Sequence, residues 1–167
     1  MLFLNHKYCV DELIHGVLKL ADNVLVIVSC TKKKIWDVDP NAPEYVAAKD
    51  AYVGALFKKG VEYATRNGYP YLIISAKYGL LRPTDKIRNY DVKIGDKDSI
   101  TAETIREQAE KLGITKYQKI IVLVSTKYCE ILREALKNTN ITIETPLEGY
   151  PLGKMIAKLN KMLLQEK

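Results

Sequence analysis

Apolar residues in this chain collect into a few unbroken runs, separated by stretches with helical spacing. Val24-Leu25-Val26-Ile27-Val28 is the clearest run, and Tyr71-Leu72-Ile73-Ile74 and Ile120-Ile121-Val122-Leu123-Val124 repeat it. Continuous rather than alternating apolarity marks a strand covered on both faces, as in a parallel sheet. Ile141-Thr142-Ile143-Glu144 is a weaker fourth candidate. Between these runs the apolar spacing becomes helical. Residues 9–21 carry Val10, Leu13, Ile14, Val17, Leu18 and Ala21 on one side. Residues 44–66 carry Tyr45, Ala48, Tyr52, Leu56 and Tyr63, and Asn67-Gly68 closes that stretch as a C-cap. Residues 102–112 follow Thr101 as N-cap and stop at Gly113, and 126–137 and 153–166 supply two further helices. Strands alternating with helices predict an α/β three-layer sandwich on a mostly parallel four-stranded sheet. Ile35 to Pro43 and residues 81–100 have no helical period and read as loops; loops this long in a compact domain are often functional.

A chain of 167 residues fits one domain, 1–167, which buries roughly 70% of its unfolded surface. No apolar run reaches the ~18 residues of a membrane helix, and Met1-Leu2-Phe3-Leu4-Asn5-His6 turns polar too soon for a secretory signal. A cytoplasmic protein with no membrane partner is expected. Three cysteines, Cys9, Cys30 and Cys129, form no CxxC pair, and two histidines, His6 and His15, have no zinc-like spacing. Neither a disulfide scaffold nor a protein-held metal is expected, and no phosphate-loop or dinucleotide motif calls for a cofactor. The net charge of +6 tilts the partner toward nucleic acid, a nucleotide or phosphate, although a lysine-rich surface in a heat-adapted protein gives the same balance.

In an open parallel sheet, ligands bind beyond the carboxyl ends of the strands. Hydroxyls, lysines and tyrosines recur at each of these ends. After the first run come Ser29, Cys30, Thr31, Lys32, Lys33 and Lys34. Short hydroxyl side chains, free backbone N–H groups and lysines suit an anion. Cys30 beside lysines is a candidate nucleophile, with a buried thiol as the plainer reading. Three consecutive lysines point in different directions, so one or two face a site; Ser29, Cys30 and Lys32 are favoured. After the second run, Ser75 precedes Lys77, a candidate base or amine, Tyr78, a stacking or hydrogen-bonding ring, and Gly79, which permits a sharp turn. Arg88-Asn89-Tyr90-Asp91 offers a cation, an amide, a phenol and a carboxylate, with Asp91 the candidate for activating water. Glu148 follows the fourth run. Eleven tyrosines against two phenylalanines suggest stacking surfaces, half of them merely edging the core. His6 and His15 are discounted.

Four ordered blocks, Ile27 to Lys34, Ala51 to Phe57, Ile73 to Leu81 and Ile87 to Asp91, with an echo at Pro146 to Gly153, resemble a family of small microbial and viral domains. That family has Ser-Cys-Ser/Thr-Lys-x-Lys and Ser-Ala-Lys-Tyr-Gly-Leu motifs, and its members are often labelled as similar to the peroxide-stress protein YaaA. More distantly, Ser29 to Lys34 is similar to the Pro-Cys…Lys-Pro-Tyr motif of the archaeosine synthase core. Here Ser29 stands for the proline, Ile35-Trp36 stands for Pro-Tyr, and the distal histidine has no counterpart. The resemblance implies a sheet like that of uracil-DNA glycosylase. With the strand-end residues it implies an enzyme of base modification or N-glycosidic cleavage. Lys32 or Lys34 would hold phosphate, Tyr78 would stack, and Asp91 or Lys77 would move the proton. The alternatives are a non-catalytic DNA- or RNA-binding protein in stress or nucleic-acid protection, and a small-molecule sensor.

Overall fold

The computed structural model describes residues 23–165. The helix expected over 9–21, and with it Cys9, His6 and His15, lies outside the described residues. Strand β1 (Val24–Ser29) is central, flanked by β3 (Tyr71–Ser75) and β6 (Lys119–Leu123). Among the described residues the sheet has five strands, in the order β4-β3-β1-β6-β7, with β7 at Thr142–Glu144 and β4 at Gly79–Leu81. Pairings β1–β3, β1–β6 and β6–β7 are parallel, while β4 runs antiparallel to β3. A separate antiparallel ribbon joins β2 (Val46–Ala47) to β5 (Lys86–Ile87).

Both faces of the sheet are covered, which is why its central runs are apolar without alternation. On one face Leu25, Ile27, Ile74, Ile120 and Val122 pack against α3 (Ala102–Lys111) and α4 (Thr126–Leu136), through Ile105, Ala109, Cys129 and Leu132. On the other, Val26, Val28, Ile73, Ile121 and Leu123 pack against α2 (Ala55–Arg66) and α5 (Leu152–Leu164), through Leu56, Phe57, Met155 and Leu159. The layering is the three-layer one expected.

Two expectations need correcting. The sheet has a fifth strand, because Gly79, at φ +73°, turns the chain back so that Leu80 and Leu81 pair with Ile74 and Ile73. The helix expected over 44–66 is broken into β2, a single turn α1 (Ala48–Ala51) and α2. Tyr52 is extended (φ −93°, ψ 125°) and bridges to Lys34, and Val53 N–H donates to Lys33 O at 3.3 Å. A Cβ on Gly54 would lie 2.6–2.9 Å from the Thr31 side chain. Pairing of residues 52–54 with the loop after β1 thus replaces the helical hydrogen bonds that the apolar spacing would support. Over 102–112, by contrast, Thr101 caps α3 by accepting Thr104 N–H at 3.2 Å, and Gly113, at φ +68°, ends it.

The connections from the two central strands leave in opposite directions. β1 leads to α2 on one face, and β6 leads to α4 on the other. The carboxyl ends of β1 and β6 therefore bound a topological switch point, the place where open α/β sheets form a crevice.

Candidate functional site

Cys30 follows β1 and extends the ladder, its N–H donating to Ile74 O at 3.0 Å. It sits half-buried at the junction of the two cores. Its Sγ lies 3.3 Å from the hydroxyl of Tyr128, in the first turn of α4, so the pair spans the switch point. The chain then turns tightly, with Thr31 Oγ1 donating to Lys33 O (3.0 Å) and accepting Gly54 N–H (3.2 Å). The three lysines diverge as expected, but not in the order favoured from the sequence. Lys32 and Lys33 are exposed, whereas Lys34 is 6% exposed. Its Nζ donates to Lys32 O (3.2 Å) and Tyr90 O (3.0 Å) and stands 4.3 Å from the Tyr90 ring centroid.

Tyr90 is the pivot of the arrangement. Its hydroxyl accepts from Ser75 Oγ at 2.9 Å and lies 2.7 Å from Tyr52 Oη. Ser75, fully buried at the end of β3, also accepts the N–H groups of Lys77 and Tyr78 at 3.2 Å each. Tyr78 meets Tyr90 edge to face at 5.4 Å, and its hydroxyl bonds the backbone of Arg88. The loop carrying Tyr90 and Asp91 is thereby fixed over the strand ends. Burial, reinforced by the Cys30 sulfur, raises the phenols of Tyr52, Tyr90 and Tyr128 well above the ordinary value of 10.0. All three stay neutral at physiological pH and keep an O–H to donate.

Two open clefts adjoin this network and share Lys32, Lys34, Tyr90 and Asp91 as a common wall. The outer, about 630 Å³, adds Lys33, Asp37 and Asn89. The inner, about 280 Å³, adds Cys30, Thr31, Val92, Lys93, Ile94 and Tyr128. Of the residues expected at the site, Cys30, Thr31, Lys32, Lys34, Tyr90 and Asp91 line these clefts. Ser29 turns inward, its Oγ donating to Cys30 O at 2.9 Å, and Ser75 and Tyr78 act behind Tyr90.

Four expected site residues are placed elsewhere. Lys77 is exposed and stands 5.3 Å from the Tyr78 ring centroid. Gly79 serves the turn into β4, where a Cβ would meet Gln108 Oε1 at 2.1 Å. Arg88 pairs with Glu44 at 2.5 Å and covers the Tyr45 ring. Glu148 is gripped by both terminal nitrogens of Arg133 and by Thr145, which hold its carboxyl down at about 2. Cys129 is fully buried and its thiol is pushed up to about 11, chiefly by burial, so it is chemically quiet.

Tyr52 and Tyr128 are not among the candidates read from the sequence. Tyr128 is the visible one, four residues past the third apolar run, beyond the end of the strand that pairs with the one leading to Cys30. Among the described residues no group of three or more His, Cys, Asp or Glu side chains is placed to hold a metal ion, and no helix is long and apolar enough to cross a membrane.

Comparison with known proteins places the chain more firmly than its chemistry does. The uncharacterized protein YfjM of Bacillus subtilis (strain 168) is 36% identical over 141 residues, spanning 82% of this chain and 93% of its own. Among solved structures, that of AF0587, a protein of unknown function, aligns over 87% of this chain with a TM-score of 0.44 and 10% identity. The chain spans 46% of that protein's length. These matches carry neither the YaaA label nor the likeness to archaeosine synthase. Residues 25–161 match the family described as "Family of unknown function (DUF6884)", and the chain belongs to that family.

Proposed function

We propose that the protein is a nucleobase-directed enzyme, of base-modification or N-glycosidic cleavage type, working in the inner cleft at the β1/β6 switch point. The observation that carries this reading is the shared wall. Cys30, Asp91, Tyr90 and Tyr128 all line one crevice beyond the strand ends, and they come from two separate loops and the first turn of α4. Val92 and Ile94 supply apolar surface for a flat ring, and neutral phenols can donate to the carbonyl oxygens and ring nitrogens along a base edge. In a cleavage reaction Asp91 takes a proton from water, and the water oxygen attacks the anomeric carbon. The carbon–nitrogen bond breaks, and its electron pair leaves with the base, where a phenol O–H stabilises the developing charge. The glycosylase-like reading of the sheet belongs to this proposal, and so does any DNA or RNA substrate.

The test is product analysis by mass spectrometry after incubation with nucleosides, nucleotides and oligonucleotides. Asp91→Asn and Cys30→Ala, each folded by circular dichroism, should lose turnover. Turnover that persists in both variants sinks the proposal. Exposed Lys32, Lys33 and Lys93 around the clefts favour one other reading, non-catalytic nucleic-acid binding. Oligonucleotide affinity without any product, falling by about one power of salt concentration per phosphate contact, would select it.

A further inference from the structure

Among the described residues Lys34 is the only buried charged side chain, and no carboxylate lies within ion-pair distance of its Nζ. An ammonium has three N–H donors, and Lys34 spends two on the carbonyls of Lys32 and Tyr90. Those carbonyls and the Tyr90 ring face spread the charge without cancelling it. Asp37, the carboxylate nearest in sequence, uses Oδ2 on the backbone N–H of Lys34 at 2.8 Å. A buried charge is ordinarily matched by an opposite one, so this one calls for an anion from outside the chain.

The outer cleft is where that anion fits. Lys32 and Lys33 line it beside Lys34, and Asp37 and Asp91 are its only carboxylates. Three lysines against two carboxylates leave a small positive excess, which suits one phosphate group and not a triphosphate. The outer cleft is also the larger and shares its wall with the inner one, at about 630 Å³ against 280 Å³. A sugar phosphate placed there would leave its base directed toward Cys30 and Tyr128.

We propose that the outer cleft is a phosphate subsite anchored by Lys34, so that the substrate is a nucleoside monophosphate unit and not a free base or nucleoside. This rests on reading the inner cleft as the base pocket, and it puts Lys34 ahead of Lys32, the lysine that the sequence favours for the site.

The experiment is isothermal titration calorimetry with the four ribonucleoside 5′-monophosphates, their nucleosides, the matching triphosphates and orthophosphate. One charge-assisted contact implies roughly a tenfold or greater preference for monophosphate over nucleoside, and the triphosphate should bind no better than the monophosphate. Lys34→Met should abolish the preference, leaving monophosphate and nucleoside with equal affinity for that variant, and Lys32→Gln should reduce it only severalfold. Equal affinity for nucleotide and nucleoside overturns the subsite but leaves the base pocket standing, as does a preference that survives Lys34→Met. Orthophosphate binding as tightly as every nucleotide upholds the subsite and removes the base pocket. If Lys34→Met does not fold, the comparison of monophosphate with nucleoside on the unaltered chain decides alone.

Discussion

The sulfur of Cys30 and the hydroxyl of Tyr128, 98 positions apart in sequence, lie 3.3 Å apart across the ends of two adjacent parallel strands. One residue leaves the sheet toward the face covered by α2 and α5, and the other belongs to the helix on the opposite face. Their meeting marks the floor of the inner cleft, and the predictions begin there.

Cys30 is partly exposed and Cys129 is fully buried. In a Cys9→Ser background, iodoacetamide should modify Cys30 in the native protein within minutes and spare Cys129 until the chain unfolds. Peptide mass spectrometry reads both sites. Modification of Cys129 at the same rate as Cys30 would contradict the burial described.

Tyr90 joins the hydroxyls of Ser75 and Tyr52, and removing its oxygen leaves both without that partner. Tyr90→Phe should destabilise the fold by about 1–3 kcal/mol in urea unfolding. It should also loosen the loop from Arg88 to Ile94, read as faster amide exchange there. A change below a few tenths of a kcal/mol would mean that the hydroxyl network does not hold the loop.

The phenols of Tyr52, Tyr90 and Tyr128 are raised above 10.0 in the folded chain. An unfolded phenol loses its proton near that value while the folded one keeps it, so the folded state binds more protons above it. Their contribution to stability is fully present below pH 10 and is lost as pH rises beyond it. Absorbance at 295 nm should show these three tyrosines ionising only with unfolding, and Tyr52→Phe should flatten the alkaline limb of the stability curve. Smooth ionisation of all tyrosines near pH 10 in the folded protein would refute this.

Glu148 has the opposite sign. Arg133 and Thr145 lower its carboxyl to about 2 from 4.5, so its contribution is present above pH 4.5 and is lost as pH falls toward 2. Glu148→Gln should cost stability at pH 7 and little at pH 2, measured by urea midpoints, and should leave ligand affinity unchanged because Glu148 lines neither cleft. A loss of affinity without a loss of stability would return Glu148 to the site.

The β3–β4 turn is equally specific. Gly79→Ala places a Cβ at a left-handed φ and against Gln108, whose amide holds Leu80 N–H at 2.8 Å and Tyr78 O at 2.9 Å. The expected cost is roughly 2 kcal/mol or more in thermal or urea unfolding. A neutral effect would mean that the turn relaxes freely.

The parts legible in the sequence are those dictated by local pattern. Val24 to Val28 announces a doubly covered strand, and Thr101 and Gly113 announce the ends of α3. The rest depends on distant partners. Leu80 and Leu81 are too few to signal a strand, and their pairing depends on the turn that Gln108 braces from 28 positions away. Tyr52 keeps helical spacing with its neighbours, yet its bridge to Lys34 and the contact of Gly54 with Thr31 break the helix there. Lys34 and Lys32 are indistinguishable by type, and only the carbonyl and ring of Tyr90, 56 positions away, decide which one is buried. The strand-end rule located the clefts, but it could not show that Arg88 and Glu148 were already committed to Glu44 and Arg133.

The central claim is that nucleobase-containing ligands occupy the crevice at the β1/β6 switch point. Backbone amide shifts in two-dimensional NMR, recorded while titrating the four nucleoside 5′-monophosphates, test it most directly. The account predicts that at least one of them produces saturable shifts concentrated at Cys30, Lys34, Tyr90 to Ile94 and Tyr128. Shifts confined to surface lysines elsewhere, such as Lys58 and Lys154, or no saturable shift with any of the four, would contradict it.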